Sequence, residues 1–473
     1  MNTNLPRRAF LKGVFAASAL SAVPMLPVFG AEKKPKTENV PASGKVNVAC
    51  CGIGNRGASV VNGIAGTGMA NIVALCDVDL GAKHTQAVLK KFPNAKTFKD
   101  FREMLDKMGK EIDAVTAGTP DFAHFPACMM AMSLGKHVYV EKPMAHTFQE
   151  CELMMAAEKK YKVAAQMGNQ GHSGANYWQF KAWTEAGIIK NVTKITAYMN
   201  GKRRWHGMDV SGFPPEEPIP DTLDWDKWLA TAQFHKYNKK YVNGDWRCWY
   251  DFGNGALGDW GAHIIDTAHE FLNLGLPEEI DPVKIEGPNK FIFPQASTLV
   301  FKFPARGNTP ACDVTWYDGQ KNFPPLPKDF GAAVIDPDVP PPAGGKIDAK
   351  VAPGKVIYGE GLTFKGGSHS SALQIIPPAK AKEMASKLPK ITSGTTDHFK
   401  NFILACKGEE KCHSNFEVAG PLSEVLVLGC IAQRLGTKLV FDRATKQITN
   451  NKVANELLVG PPPRQGWEQF YKL

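Results

Sequence analysis

Near the front of the chain, Gly52-Ile53-Gly54-Asn55-Arg56-Gly57 sets three glycines at the spacing of a turn that cradles phosphate. Gly52 would permit the tight bend, Gly54 would let the backbone approach a pyrophosphate, and Gly57 would let a helix pack closely on a strand. Asn55 and Arg56 lie in the same turn, where backbone N–H groups and the helix dipole favour anions. Asp77 follows Gly57 by twenty residues and closes a β-prone run. An acid there accepts hydrogen bonds from an adenosine ribose and repels a 2′-phosphate, so NAD is expected over NADP. Three glycines alone are weak evidence, and a structural turn with Asp77 as a plain strand-end residue is the bland alternative. Strand, glycines, helix, strand and acid in this order form a much stronger signal.

Those residues need a sheet to hold them. Val46–Cys51 and Asn71–Cys76 read as buried parallel strands, with a helix up to about Gly66 between them. The alternation continues through a strand at 114–117, a helix to about Leu134, a strand at 137–140, a helix at about 148–160 and a strand at 163–167. Repeated β-α units predict a doubly wound parallel sheet whose ligands lie beyond the C-terminal strand ends. Asp121, His124, Glu141, Lys142 and Asn169 all fall at or just after such ends.

Eight of the ten tryptophans lie between Trp178 and Trp260, in a stretch that also carries Arg203, Arg204 and Arg247. Indole faces beside polar groups suit a pyranose, with its apolar C–H face and hydroxylated rim. Many of these rings must instead fill the core, and Trp225–Leu229 reads as helix packing. Asn169 and His172 follow the last strand of the first sheet and are candidate hydroxyl ligands, with polar capping at a domain junction as the alternative. His263, Asp266 and His269 suggest a metal set, but steps of three residues drift around a helix. No HExxH or CxxC pattern accompanies them, so no metal is expected.

At 473 residues with 43% apolar and 22% charged side chains, the chain suits two to three globular domains. Its net charge of +10 falls to +7 without residues 1–30 and forms no long basic run, so no nucleic-acid partner is expected. Residues 1–30, with Arg7-Arg8 before an apolar run, resemble a twin-arginine signal, although Pro6 departs from the usual Ser or Thr. This predicts the twin-arginine translocation machinery as a partner and a periplasmic or otherwise exported protein. No other stretch reaches about 18 uninterrupted apolar residues, so no stable membrane span is expected. A linker at 31–44, a dinucleotide domain at 45–168, a substrate domain at 169–400 and C-terminal helices with a returning tail at 401–473 complete the division. The Pro/Gly-rich segment 322–367 reads as an excursion on the second domain, and Cys406 and Cys412 are close enough for a bridge that spacing cannot establish.

Thr119-Pro120-Asp121-Phe122-Ala123-His124, Glu141-Lys142-Pro143 and Gly258-Asp259-Trp260-Gly261-Ala262-His263-Ile264-Ile265-Asp266 together resemble the Gfo/Idh/MocA oxidoreductases. The resemblance covers residues 44–300 well and the remainder loosely. It implies an N-terminal Rossmann domain, a C-terminal α/β domain on an open, mainly antiparallel sheet, and a homo-oligomer. It places Thr119, Pro120, His124, Glu141 and Lys142 around the cofactor, with a cis bond before Pro143. Asp259, His263 and Lys142 would be catalytic, Asp259 orienting His263 across one helical turn. Asn169, His172, Arg247, Trp260 and His263 would meet the substrate. The implied activity is that of an NAD-dependent sugar or glycoside dehydrogenase with a tightly held cofactor. The alternative is an NAD-dependent glycosidase working by transient C3 oxidation and elimination, with no net redox change.

Overall fold

Two sheets and the helix layers between them position every residue named above in a computed structural model that describes residues 44–327, 330 and 352–473. The twin-arginine-like segment 1–30 and linker residues 31–43 lie outside the described residues. The first half alternates strictly. Its elements are β1 (Val46–Cys51), α1 (Arg56–Gly66), β2 (Ala70–Cys76), α2 (Lys83–Lys91), β3 (Lys96–Phe98), α3 (Phe101–Met108), β4 (Ala114–Ala117), α4 (Asp121–Ser133), β5 (His137–Glu141), α5 (Phe148–Tyr161) and β6 (Ala165–Gly168). All pairings are parallel in the order β3-β2-β1-β4-β5-β6, so the chain reverses direction between β1 and β4. A ligand crevice opens at such a reversal.

Both faces of this sheet are covered, which explains its unbroken apolar strands. Along β1, Ala49 and Cys51 join the large core shared with the second half, while Val46, Val48 and Cys50 join a cluster on the opposite face.

The second half holds α6 (Ala175–Glu185), β7 (Lys194–Met199), α7 (Trp225–Leu229), α8 (Gly255–Ile264), α9 (Asp266–Phe271), β8 (Glu279–Glu286), β9 (Ala296–Phe303) and β10 (Cys312–Asp318). It continues with β11 (Gly354–Tyr358), β12 (Thr363–Gly367), β13 (Gln374–Ile376), α10 (Pro378–Met384), α11 (His398–Cys406), α12 (Phe416–Leu435), β14 (Leu439–Asp442), β15 (Gln447–Ile448) and α13 (Lys452–Val459). Nine strands run in the order β13-β12-β11-β7-β10-β9-β8-β14-β15, antiparallel except for the β7–β10 pair. The mainly antiparallel sheet that the family resemblance implies is thus present.

One local expectation changes, and two further helices complete the fold. The Pro/Gly-rich stretch is not all excursion, because residues 354–367 form the β11–β12 hairpin within the sheet. The long C-terminal helix starts at Phe416, five residues before Pro421, because the Asn415 side chain caps it by accepting from Val418 N. This helix is apolar and long enough to cross a membrane, yet it is largely buried against α5 and α8. Lastly, Phe402, Ile403 and Cys406 of α11 cover the outer face of the first sheet. Cys406 and Cys412 share that cluster as free thiols, and every cysteine among the described residues is free and buried.

Candidate active site

A crevice of about 510 Å³ follows the C-terminal ends of the first sheet and is walled on its other side by the second half. Its floor is the glycine turn. Gly52 has φ +70°, and a Cβ there would lie 2.7 Å from Thr119 N, so both conformation and space require glycine. A Cβ on Gly57 would sit 1.8 Å from Gly52 O, which is how closely α1 approaches β1. Gly54 differs from expectation: the imidazole of His84, from α2, lies over it.

Asp77 closes one end of the crevice at the tip of β2. Its carboxylate accepts from Ile53 N at 2.9 Å and Asp79 N at 3.0 Å, tying the acid to the glycine turn. Burial pushes its pKa up, and those two amides work in the opposite direction. Asp77→Ala should lower the preference for NAD over NADP by about tenfold or more, equivalent to about 1.4 kcal/mol. Titration of both dinucleotides into the stripped protein measures that ratio; an unchanged ratio contradicts the assignment.

At the β5 end, Arg56 pairs with Glu141 at 3.0 Å and Gln170 Nε2 donates to the same Glu141 oxygen. Glu141 Oε2, Thr119 Oγ1 and Arg203 Nε are buried without hydrogen-bond partners among the described residues, and all three residues line the crevice. Buried polar groups are rarely left unpaired, so these orphaned atoms fit a ligand rich in donors and acceptors, as NAD is.

Lys142 follows β5, and its peptide bond to Pro143 is cis. Nζ donates to Asp259 Oδ1 at 2.5 Å and to Asp259 O at 2.8 Å. Arg203 also pairs with Asp259, and Arg247 Nε lies 3.5 Å from Oδ1. Burial alone would raise the Asp259 pKa, but Lys142, Arg247 and Arg203 hold it well below the usual carboxylate range. The expected Asp259–His263 hydrogen bond is not made: three cations from other segments claim the carboxylate. His263 instead stacks on His369, with centroids 3.9 Å apart, and its Nδ1 is buried without a partner. Burial, then the Lys142 charge, pushes the His263 pKa well below its ordinary value, so the ring is neutral.

Several sequence-predicted ligands lie elsewhere. Asn169 and His172 are fully buried beneath the site. Asn169 Nδ2 donates to Asp266 Oδ1 at 2.9 Å, while His172 is held between Asp266 at 2.7 Å and Glu270 at 2.8 Å. Burial opposes a charge on His172, yet the two carboxylates raise its pKa to about 10, making it a structural imidazolium. His124 is buried too, its ring nitrogens 2.9 Å from Thr119 O and Pro143 O. It joins the two turns that carry Thr119 and Lys142 instead of facing the crevice. Thr119, Pro120 and Arg247 do line the crevice; Trp260 sits behind Arg203.

One lining residue escaped the sequence reading, and a second was placed at a strand end without a role. Trp467, in the C-terminal tail, packs on Phe101 and beneath Arg102 at the Asp77 end. Asp121, at the start of α4, lines the Lys142 end and accepts from Asn254 N at 3.1 Å. Burial pushes its pKa up to about 7, reinforced by Asp259 and opposed by Arg247 and Lys142. Between pH 4 and 7 the folded chain therefore keeps a proton that the unfolded chain has released, so this group's contribution to stability is lost as pH rises. Asp121→Asn should melt at increasingly higher temperature than the wild type from pH 4.5 to 7.5; a constant difference across that range contradicts the shift.

Comparison with known proteins adds to this geometry. A profile described as an oxidoreductase family with an NAD-binding Rossmann fold matches residues 46–169, and one described as the C-terminal alpha/beta domain of an oxidoreductase family matches 179–296. Inositol 2-dehydrogenase of Salmonella typhimurium is 30% identical over 190 residues, covering 39% of this chain and 54% of that protein. Alpha-N-acetylgalactosaminidase of Shewanella oneidensis is 31% identical over 301 residues, covering 59% and 57%. The chain thus spans about half the length of these curated relatives. Among solved structures, the WlbA dehydrogenase of Bordetella pertussis, in complex with NADH and UDP-GlcNAcA, superposes with a TM-score of 0.56 at 15% identity, covering 84% of this chain and 99% of that one.

Proposed function

We propose that this chain, which belongs to the Gfo/Idh/MocA oxidoreductase family and is an NAD-binding enzyme, transfers a hydride between a ring carbinol of a sugar or glycoside and its nicotinamide cofactor. The observation that carries this reading is the Lys142 ammonium, fixed at 2.5 Å by Asp259 at one end of the dinucleotide crevice. Gly52, Gly54–Arg56, Asp77, Thr119 and Glu141 would hold NAD, which supplies the two-electron acceptor. In the oxidising direction the neutral amine of Lys142 would take the carbinol proton as the C–H bond breaks, and in the reverse direction the ammonium would return a proton to the carbonyl oxygen. Asp259 orients Nζ and balances its charge, and Arg203 and Arg247 keep Asp259 ionised. His263, neutral and stacked on His369, shapes the site behind this pair. The carbohydrate class is supported by the sugar-related relatives and by Trp246 in the crevice wall.

A second reading, glycoside cleavage by transient oxidation, is favoured by Asp121. A crevice-lining acid with a pKa of about 7 can protonate a leaving group near neutral pH. Product analysis on aryl glycosides without added acceptor separates the two. Free sugar with released aglycone supports cleavage; a keto-glycoside with reduced cofactor supports net oxidation; neither product from any glycoside contradicts both.

We also propose that residues 1–30 direct export of the folded, cofactor-loaded protein. Arg7→Lys with Arg8→Lys should leave it in the cytoplasm, as read by fractionation; unaltered export contradicts the proposal.

A further inference from the structure

We propose that the carbohydrate taken by this crevice is anionic, bearing a carboxylate or a sulfate or phosphate ester that Arg247 and Arg203 recognise. This rests on the carbohydrate reading above. The observation is an excess of organised positive charge. Lys142, Arg203 and Arg247 converge on the single carboxylate of Asp259, three cations against one anion in a largely buried setting. Arg204 adds a fourth cation to the lining, with Asp245 3.6 Å away at the exposed rim. Asp121 offsets only part of this excess near neutral pH, because burial pushes its pKa up to about 7.

The guanidinium groups are also posed for a planar anion. Arg247 lies 4.1 Å from the ring of Trp246, and Arg203 lies 5.8 Å from Trp205 and 5.9 Å from Trp260. Aromatic contacts of this kind hold the guanidinium flat and leave its in-plane N–H edge for acceptors. Little of that edge is used. The 3.5 Å separation of Arg247 Nε from Asp259 exceeds ordinary hydrogen-bond length, and the Arg247 side chain makes no hydrogen bond among the described residues. Arg203 spends one nitrogen on Asp259, while its buried Nε has no partner. A neutral hydroxyl would occupy such donors without compensating their charge. An oxyanion does both, through the paired geometry that arginine favours.

Calorimetric titration of the NAD-loaded protein tests this. The probes are methyl hexuronosides of gluco, galacto and manno configuration, their uncharged methyl esters, the parent methyl hexosides, and hexoside 6-sulfates and 6-phosphates. At least one acid or ester anion should bind about tenfold or more tightly than its neutral counterpart. That advantage should shrink at higher salt and disappear in Arg247→Gln. Preference for the uronoside, the sulfate or the phosphate identifies the source of the anion. Neutral sugars binding as tightly as every anion overturns the proposal, as does an advantage that survives in both Arg247→Gln and Arg203→Gln. In the first case, reduction of the bound cofactor by neutral sugars leaves the carbohydrate reading intact. Failure of every sugar to bind removes both.

Discussion

Lys142→Ala will lower turnover by about 10²-fold or more, the usual contribution of a positioned proton-transfer group. The loss should fall on the chemical step, because the substitution leaves Asp259 still paired with Arg203 and near Arg247, so the carboxylate stays compensated and the fold is retained. Lys142→Arg will not restore activity: a guanidinium does not give up its proton under these conditions, and its planar fork cannot reproduce the single Nζ seated between Asp259 O and Oδ1. Steady-state rates with an unchanged melting temperature check the result. Turnover within about threefold of wild type removes Lys142 from the reaction.

Gly57→Ala will weaken dinucleotide binding by about 10²-fold or more. The added methyl would start 1.8 Å from Gly52 O, against backbone that no rotamer change can move. Either α1 retreats from β1 or the turn opens, and both displace the amides that face the phosphates. Overpacking of this kind costs about 1–3 kcal/mol and sometimes more. Titration of NAD into the stripped variant reads the loss. Gly66→Ala, where the new Cβ meets nothing within 4 Å, is the matched control. Equal NAD affinity in the two variants contradicts the close-approach argument.

What the sequence revealed follows from the range of each constraint. Gly52, Gly57 and Asp77 were legible because strand, turn and helix geometry fix their spacing within one β-α-β unit. Lys142 was legible through its Pro143 neighbour and the family blocks, but the partner of Asp259 was misassigned. The four-residue step from Asp259 to His263 suggested a pair, whereas the contact that forms joins Lys142 and Asp259 across 117 residues. Asn169 and His172 looked like ligands because polar residues follow a strand end; nothing local signals that Asp266 and Glu270 close over them. The elements α2, β3 and α3 escaped notice because β3 is only three residues long with Lys96 and Thr97 exposed, and the two helices are short and bury only Thr85, Val88, Met104, Leu105 and Met108. Trp467 was missed because a tail residue reaches the crevice only through tertiary packing against Phe101 and Arg102.

The central claim is tested most directly by following hydrogen from substrate carbon. NAD-loaded protein is mixed with ring-deuterated sugars and glycosides in a single turnover, and the bound cofactor is recovered for mass spectrometry. The account predicts one deuterium on the nicotinamide ring, with the transfer abolished in Lys142→Ala. Substrate conversion that leaves the cofactor free of deuterium would contradict it.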